Sequence, residues 1–179
     1  ANASNPVIDV YGKLISLSIN SSSSQGPTDD FRVKPDIAGD GTSVFSTTDE
    51  SDSSYGTKSG TSMAAPNVTG SLALLQEHFY NLNSKYMKSA TLKGLVCHTA
   101  DDDSAKKGPD PIFGWGLLNS KFAAETISNN SESKSLIEER TLGNGETYTT
   151  SFYVSNSDPV RVSICWTDPA ASASPQQLN

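Results

Sequence analysis

A run of small residues, Gly60-Thr61-Ser62-Met63-Ala64-Ala65-Pro66, opens directly onto a stretch with helical apolar spacing. Ala64, Val68, Leu72, Leu75 and Phe79 recur at steps of three and four, which predicts a long helix with one apolar face from about Ser62. Pro66 is expected in its first turn, where the missing N–H is tolerated because those donors have no partner within the helix. A helix N-terminus presents unpaired N–H groups and a partial positive charge, which stabilise an oxyanion forming beside it. Gly60 lets a substrate backbone approach, and the small residues keep the entrance open. Ser62 is thus placed to attack a carbonyl, with its own N–H helping to hold the negative charge. Taken by itself, a serine before a helix is more often an N-cap that satisfies an orphan N–H.

The rest of the chain alternates short extended runs with helices. Val7-Ile8-Asp9-Val10 and Leu14 to Ile19 read as strands, and Ser21 to Pro27 as a turn-rich passage. Val33 to Ile37 and Ser43 to Ser46 look like brief extended pieces, and the polar Thr47 to Ser59 reads as a surface loop. A second helix is predicted over Ser89 to Thr99, with Ser89 as N-cap and Leu92, Leu95 and Val96 on one side. A short third helix, Asn119 to Ile127, uses Phe122, Ala123 and Ile127. Asp101 to Asp103 and Gly108-Pro109-Asp110-Pro111 read as an exposed, solvated loop.

After Asn129 the pattern changes. Asn129 to Lys134 reads as a polar linker, and period-two alternation follows. Tyr148, Phe152 and Val154 fall on one side of one strand, and Val160, Val162, Ile164 and Trp166 on one side of the next. Asn156-Ser157-Asp158-Pro159 is the turn between them. The pattern predicts the start of an antiparallel β-sandwich. Two strands alone are marginal in water, so that module is expected to be incomplete within these residues.

The 179 residues suffice for one domain, or one domain and part of another. With 13 Lys and Arg against 20 Asp and Glu, the net charge is -7, which argues against nucleic acid or anionic membranes as partners. No apolar run approaches the roughly 20 residues that span a bilayer. Cys97 and Cys165, the two cysteines, have no metal-ligand spacing; the count is compatible with one disulfide, two buried thiols or neither, with free thiols the favoured reading. No calcium site is evident, and neither metal nor cofactor is expected.

The seven-residue string resembles the serine motif of the subtilisin-like peptidases, the subtilases. Ser24-Gln25-Gly26-Pro27, then Lys34-Pro35-Asp36-Ile37 followed by Gly41-Thr42-Ser43-Val44, resemble the family's segments ahead of the serine. Gly114-Trp115-Gly116-Leu117-Leu118-Asn119 resembles the block after it. The blocks stand in family order, and the similarity spans about residues 1–128. The change at Asn129 resembles the β-sandwich that follows the protease domain in some larger bacterial subtilases, with Trp166-Thr167-Asp168-Pro169 as a strand end and its turn.

The resemblance implies an α/β fold: part of a three-layer domain with a largely parallel sheet, then an incomplete antiparallel β-sandwich over 135–179. It implies a serine endopeptidase, secreted or on the cell surface of a bacterium, with a polypeptide substrate. Ser62 would be the nucleophile and its N–H half of the oxyanion hole, Gly60 and Thr61 would line the substrate cleft, and Met63 would be an oxidation-sensitive neighbour. Asn67 stands where many relatives have His, a departure outside the triad.

The reaction also needs a base and a carboxylate that orients it. The family order is Asp, then His, then Ser, yet no His precedes Ser62. His78 is 16 positions later (78 minus 62), about 24 Å along the helix axis, out of hydrogen-bond reach. His98 reads as a helix-end histidine, and Asp29 and Asp30 precede Ser62 without a His to orient. The chain is therefore expected to be an inactive part of a peptidase whose upstream half holds the remaining groups. The alternative is a catalytically inactive binding module that reuses the fold, against which the intact motif at Ser62 speaks.

Overall fold

The computed structural model describes residues 1–8, 14–102, 108–131, 137–153 and 160–167. Asp9, Val10, Asp103, Glu132 to Lys134, Val154, the Asn156 to Pro159 turn and Asp168-Pro169 lie outside the described residues.

Two strands open the chain, β1 (Asn2–Ile8) and β2 (Leu14–Ile19). They pair antiparallel, Ala3 opposite Ile19 and Ile8 opposite Leu14, with irregular register around Val7. In β2 the buried residues are Leu14 and Leu17, three apart rather than two. A bulged ladder breaks the alternation in this way. β3 (Gly39–Asp40) adds to the other side of β1 in parallel, giving the order β2-β1-β3. The expectation of a largely parallel sheet is thereby corrected: among the described residues the only parallel strand pair is β1 with β3, two residues deep. So short a ladder carries little pairing energy of its own and depends on the packing around it.

β4 (Val44–Thr47), most of it the extended piece expected at Ser43 to Ser46, forms a separate antiparallel hairpin with β5 (Tyr55–Lys58), which lies within what the sequence presents as loop. Phe45 stacks on Tyr55, ring centroids 5.7 Å apart. Such a cross-strand pair stabilises a hairpin that has almost no buried face.

α1 (Thr61–Asn83) is the long helix, with Ala64, Leu75 and Phe79 buried. Pro66 is its sixth residue rather than a first-turn one. The helix must there forgo one i→i−4 bond, to the carbonyl of Ser62. Ser84, at φ 54°, ends the helix in the left-handed conformation, and its N–H donates to the Tyr80 carbonyl at 2.7 Å. Gln76 then pins the return of the chain. Its Nε2 donates to the Met87 carbonyl (3.0 Å) and its Oε1 accepts from the Met87 N–H (2.9 Å).

α2 (Ser89–His98) and α3 (Ser120–Ser131) pack with α1 around Leu75, Phe79, Met87, Leu95, Val96, Ala123 and Ile127. α3 runs past Ile127 into the stretch read as linker, and Phe122 is exposed rather than part of its buried face. Asn119 caps α3, its Oδ1 accepting from the Phe122 N–H at 2.8 Å. The Asn119 amide also donates to both oxygens of Asp101, 2.9 and 3.0 Å away, so Asp101 is a structural partner and not a solvated loop residue.

Ser89 is not the cap of α2; Lys88 holds that position, with no cap from its own side chain. The cap comes from 51 positions away: Glu139 Oε1 accepts from the Lys88 N–H (2.7 Å) and from the Thr91 hydroxyl (2.6 Å). Burial pushes the Glu139 carboxyl up, but the Thr91 hydroxyl, the Lys88 amide and the Lys85 and Lys88 charges outweigh it and hold its pKa below the ordinary 4.5. A lowered folded-state pKa means stability that is present above the unfolded value and lost as pH falls through the folded one. Glu139→Gln should therefore cost about 1 kcal/mol at neutral pH. Urea titrations of the two proteins should converge once the pH is well below 4.5; a gap independent of pH would show that the carboxylate charge is not what caps α2.

The alternation over Tyr148–Phe152 and Val160–Trp166 does not become paired strands. The described residues of 137–153 and 160–167 carry no strand, and Val162 and Ile164 are 70% and 82% exposed. An apolar stripe needs a second sheet face to pack on, and among the described residues none covers these positions.

Candidate functional site at the N-terminus of α1

The start of α1 is held by backbone contacts that leave no room for side chains. A Cβ on Gly39 would stand 2.6 Å from Val68 Cγ2, and one on Gly41 2.6 Å from the Gly60 carbonyl oxygen and 2.7 Å from the Ala64 nitrogen. The Gly60 N–H donates to the Gly41 carbonyl at 2.8 Å. Gly60 itself, the N-cap, sits at φ 157°, ψ 166°, a conformation rarely open to a residue with a Cβ. These glycines bring the first turn of the helix flush against β3.

Asn2 supports the contact from beneath. It is fully buried, its Oδ1 accepts from the Thr42 hydroxyl at 3.2 Å, and it lies 2.7 Å from where a Gly41 Cβ would be. Its Nδ2 has no hydrogen-bond partner among the described residues. Nothing in the sequence singled out Asn2, because an asparagine near a strand start carries no pattern of its own.

Ser62 is the second residue of α1 and exposed. It is not the N-cap, so the commonplace role for a serine at a helix start does not apply. The Met63 and Ala64 N–H groups turn back to the Gly60 carbonyl, 3.0 and 3.2 Å. By helix geometry the Thr61 and Ser62 N–H groups have no acceptor within the helix and are free to meet an anion there. Thr61 is exposed and Met63 half-buried. Thr61 also walls a cleft of about 490 Å³ together with Lys34, Pro35, Ile37, Ala65 and Val68. Gly60 is not in that wall. A larger hollow, about 630 Å³ beside Gln76, Tyr80 and Tyr86, lies towards the opposite end of α1.

The sequence blocks around the site meet in space. The Trp115 N–H donates to the Asp36 carbonyl (2.9 Å), the Ala38 N–H to Gly116 (2.9 Å) and the Gly26 N–H to Pro111 (2.7 Å). A Cβ on Gly114 would stand 2.3 Å from the Pro35 carbonyl oxygen, and one on Gly26 2.0 Å from that of Lys34. Asp36 pairs with Lys34 and, at 3.0 Å, with Lys93 of α2. Burial opposes ionisation of Asp36, yet the two ammonium groups hold its pKa below the ordinary range.

Neither histidine serves Ser62. His78 Nε2 is 2.9 Å from Ser128 Oγ on α3, and His98 Nδ1 is 2.8 Å from Ser163 Oγ. Burial and the Arg161 charge push the His98 pKa down. Ser62 thus has the helix-terminal setting for an oxyanion and no proton acceptor among these rings. Among the described residues no cluster of His, Cys, Asp and Glu could hold a metal ion.

Comparison with known proteins gives a consistent picture. The sequence model of the subtilase family matches residues 8–116, more than half of the chain. An extracellular serine protease of Serratia marcescens is 44% identical over 69 residues, which cover 38% of this chain and 6% of that protein. The minor extracellular protease Vpr of Bacillus subtilis is 30% identical over 149 residues, covering 79% of this chain and 18% of that protein. The chain thus spans less than a fifth of the length of either relative. Among solved structures, the CspB protease of Clostridium perfringens superimposes with a TM-score of 0.52 at 30% identity, over 58% of this chain and 22% of that one. Fervidolysin of Fervidobacterium pennivorans, a keratinolytic enzyme related to subtilisin, gives a TM-score of 0.50 at 27% identity, over 62% and 17%.

Proposed function

The chain belongs to the subtilase family, and from that premise we propose that it is the nucleophile-bearing part of a serine endopeptidase that cleaves polypeptides through an acyl-enzyme. The observation that carries the reading is the exposed Ser62 at the N-terminus of α1, set against β3 by Gly39, Gly41 and Gly60. Ser62 Oγ attacks the scissile carbonyl, and the Ser62 N–H at the helix terminus takes up the developing negative charge. Gly60 and Thr61 border the substrate strand. Proton transfer needs a His and an orienting Asp from upstream of residue 1, since no His precedes Ser62 here.

On this reading residues 1–128 are the C-terminal portion of the peptidase domain, 129–134 a junction through the end of α3, and 135–179 the start of a β-sandwich module. The basis for that module is the alternation alone. Several relatives are extracellular bacterial proteases, which supports secretion for the whole protein.

A fluorophosphonate probe, which reacts with activated serines, tests the reading. Residues 1–179 should remain unlabelled, and the same sequence extended upstream to include a His and an Asp should label at Ser62. Absence of labelling in the extended protein would favour the inactive binding module instead. Labelling of the 179-residue chain would refute the assignment of the base to upstream sequence.

A further inference from the structure

An extended run near the C-terminal end lies along α2. Arg161 Nη1 donates to the His98 carbonyl at 2.7 Å, and Ser163 Oγ is 2.8 Å from His98 Nδ1. Four residues after Arg161, Cys165 reaches the middle of the helix: a Cβ on Gly94 would be 3.0 Å from the Cys165 Cβ. Arg161, Ser163 and Cys165 therefore face α2, and the intervening Val162 and Ile164 face outward.

Gly94 and Cys97 are three apart in α2, so their side-chain positions are neighbours on one face, about 5–6 Å between Cβ sites. Cys165 thus meets α2 one turn from Cys97, close enough for the two thiols to feel each other's charge, although they are 68 positions apart (165 minus 97). Both thiols are free, Cys165 exposed and Cys97 half-buried. The helix position that Cys165 packs against carries no side chain, because it is glycine.

We propose that Cys97 and Cys165 are a paired redox site, which a low-molecular-weight disulfide converts to an internal disulfide that staples the 160–167 run to α2. The exposed Cys165 reacts first. Its thiolate attacks one sulfur of oxidised glutathione, forming a mixed disulfide and releasing one glutathione thiolate, which takes up a proton. Cys97 then gives up its proton and attacks the Cys165 sulfur, releasing the second glutathione. Two protein thiols are oxidised and one glutathione disulfide is reduced to two thiols. Burial, with the Asp36 charge, pushes the Cys97 thiol up to about 11. That suits Cys97 to the second, intramolecular step, in which proximity compensates for a small thiolate fraction.

The test uses the purified, reduced chain in a series of reduced-to-oxidised glutathione ratios, read by intact mass and by tryptic peptides mapped with and without reductant. The expected product is the chain less two hydrogens, with the Cys97 and Cys165 peptides joined until reduction. The effective concentration of the pair should fall at least about tenfold in denaturant. It should fall similarly in Gly94→Leu, which keeps both sulfurs and a helix-compatible residue while filling the space Cys165 occupies. Cys97→Ser should stop at a glutathione adduct on Cys165. The proposal is overturned if the wild-type chain also stops at that adduct, if disulfide-linked dimers dominate, or if denaturant and Gly94→Leu leave the effective concentration unchanged.

Discussion

Ser62→Ala, made in a polypeptide that also carries the upstream His and Asp, should lower kcat by about 10⁴- to 10⁶-fold while KM barely changes. The hydroxyl it deletes forms the acyl bond, so the loss falls on the transition state and not on substrate binding. Folding should be indifferent to the change. Ser62 is exposed and alanine is the better helix former at an early helical position. The expected stability difference is within about 0.5 kcal/mol. Peptide hydrolysis and thermal melting together decide the matter. A collapse of kcat with an unchanged melt identifies a chemical role; hydrolysis at the wild-type rate would remove Ser62 from the mechanism.

Gly41→Ala should destabilise the fold by about 3 kcal/mol, near the upper end for forcing atoms into a packed site. The new Cβ would meet the Gly60 oxygen at 2.6 Å and the Ala64 nitrogen at 2.7 Å, both main-chain atoms that no rotamer change can move aside. Relief requires the first turn of α1 to retreat from β3, carrying Ser62 with it. Gly39→Ala offers a graded comparison, since its tightest contact is the Val68 methyl, which a side chain can partly yield. Gly70→Ala is the opposite control. It has nothing within 4 Å and lies inside α1, so it should stabilise by about 0.5–1 kcal/mol. Chemical denaturation of the three variants should rank Gly41→Ala lowest and Gly70→Ala above wild type. Equal midpoints for Gly41→Ala and Gly70→Ala would mean that the close approach of β3 and α1 does not hold the site.

The long helix was legible because 23 residues repeat one apolar period, and its tertiary burial at Ala64, Leu75 and Phe79 follows the same stripe. The motif blocks were legible as strings; their mutual bonds, such as Trp115 to Asp36, were not, because main-chain pairing leaves no mark on residue type. Ser43 to Ser46 reads as extended, yet its pairing with β5 into a hairpin leaves no mark, for a different reason. Both of its faces are largely exposed, Phe45 at 69% and Tyr55 at 62%, so burial imposes no alternation on Thr47 to Ser59. Glu139 as the cap of α2 leaves no local signature, because the carboxylate arrives from 51 positions downstream. The stripe Val160, Val162, Ile164 is legible as alternation, but what its other face meets is not. Its polar alternates, Arg161 and Ser163, hold the run to His98.

The contacts that join Gly26 to Pro111, Ala38 to Gly116 and Gly60 to Gly41 run between main-chain atoms. Such joints are blind to which side chains lie between them. Over generations the intervening loops can exchange nearly every residue type without Ser62 registering the change. A change of length at the exposed turn between β4 and β5 can loop out into solvent and leave the Gly60 to Gly41 bond in place. What fixes this serine in space is therefore a set of main-chain bonds and a few positions without side chains.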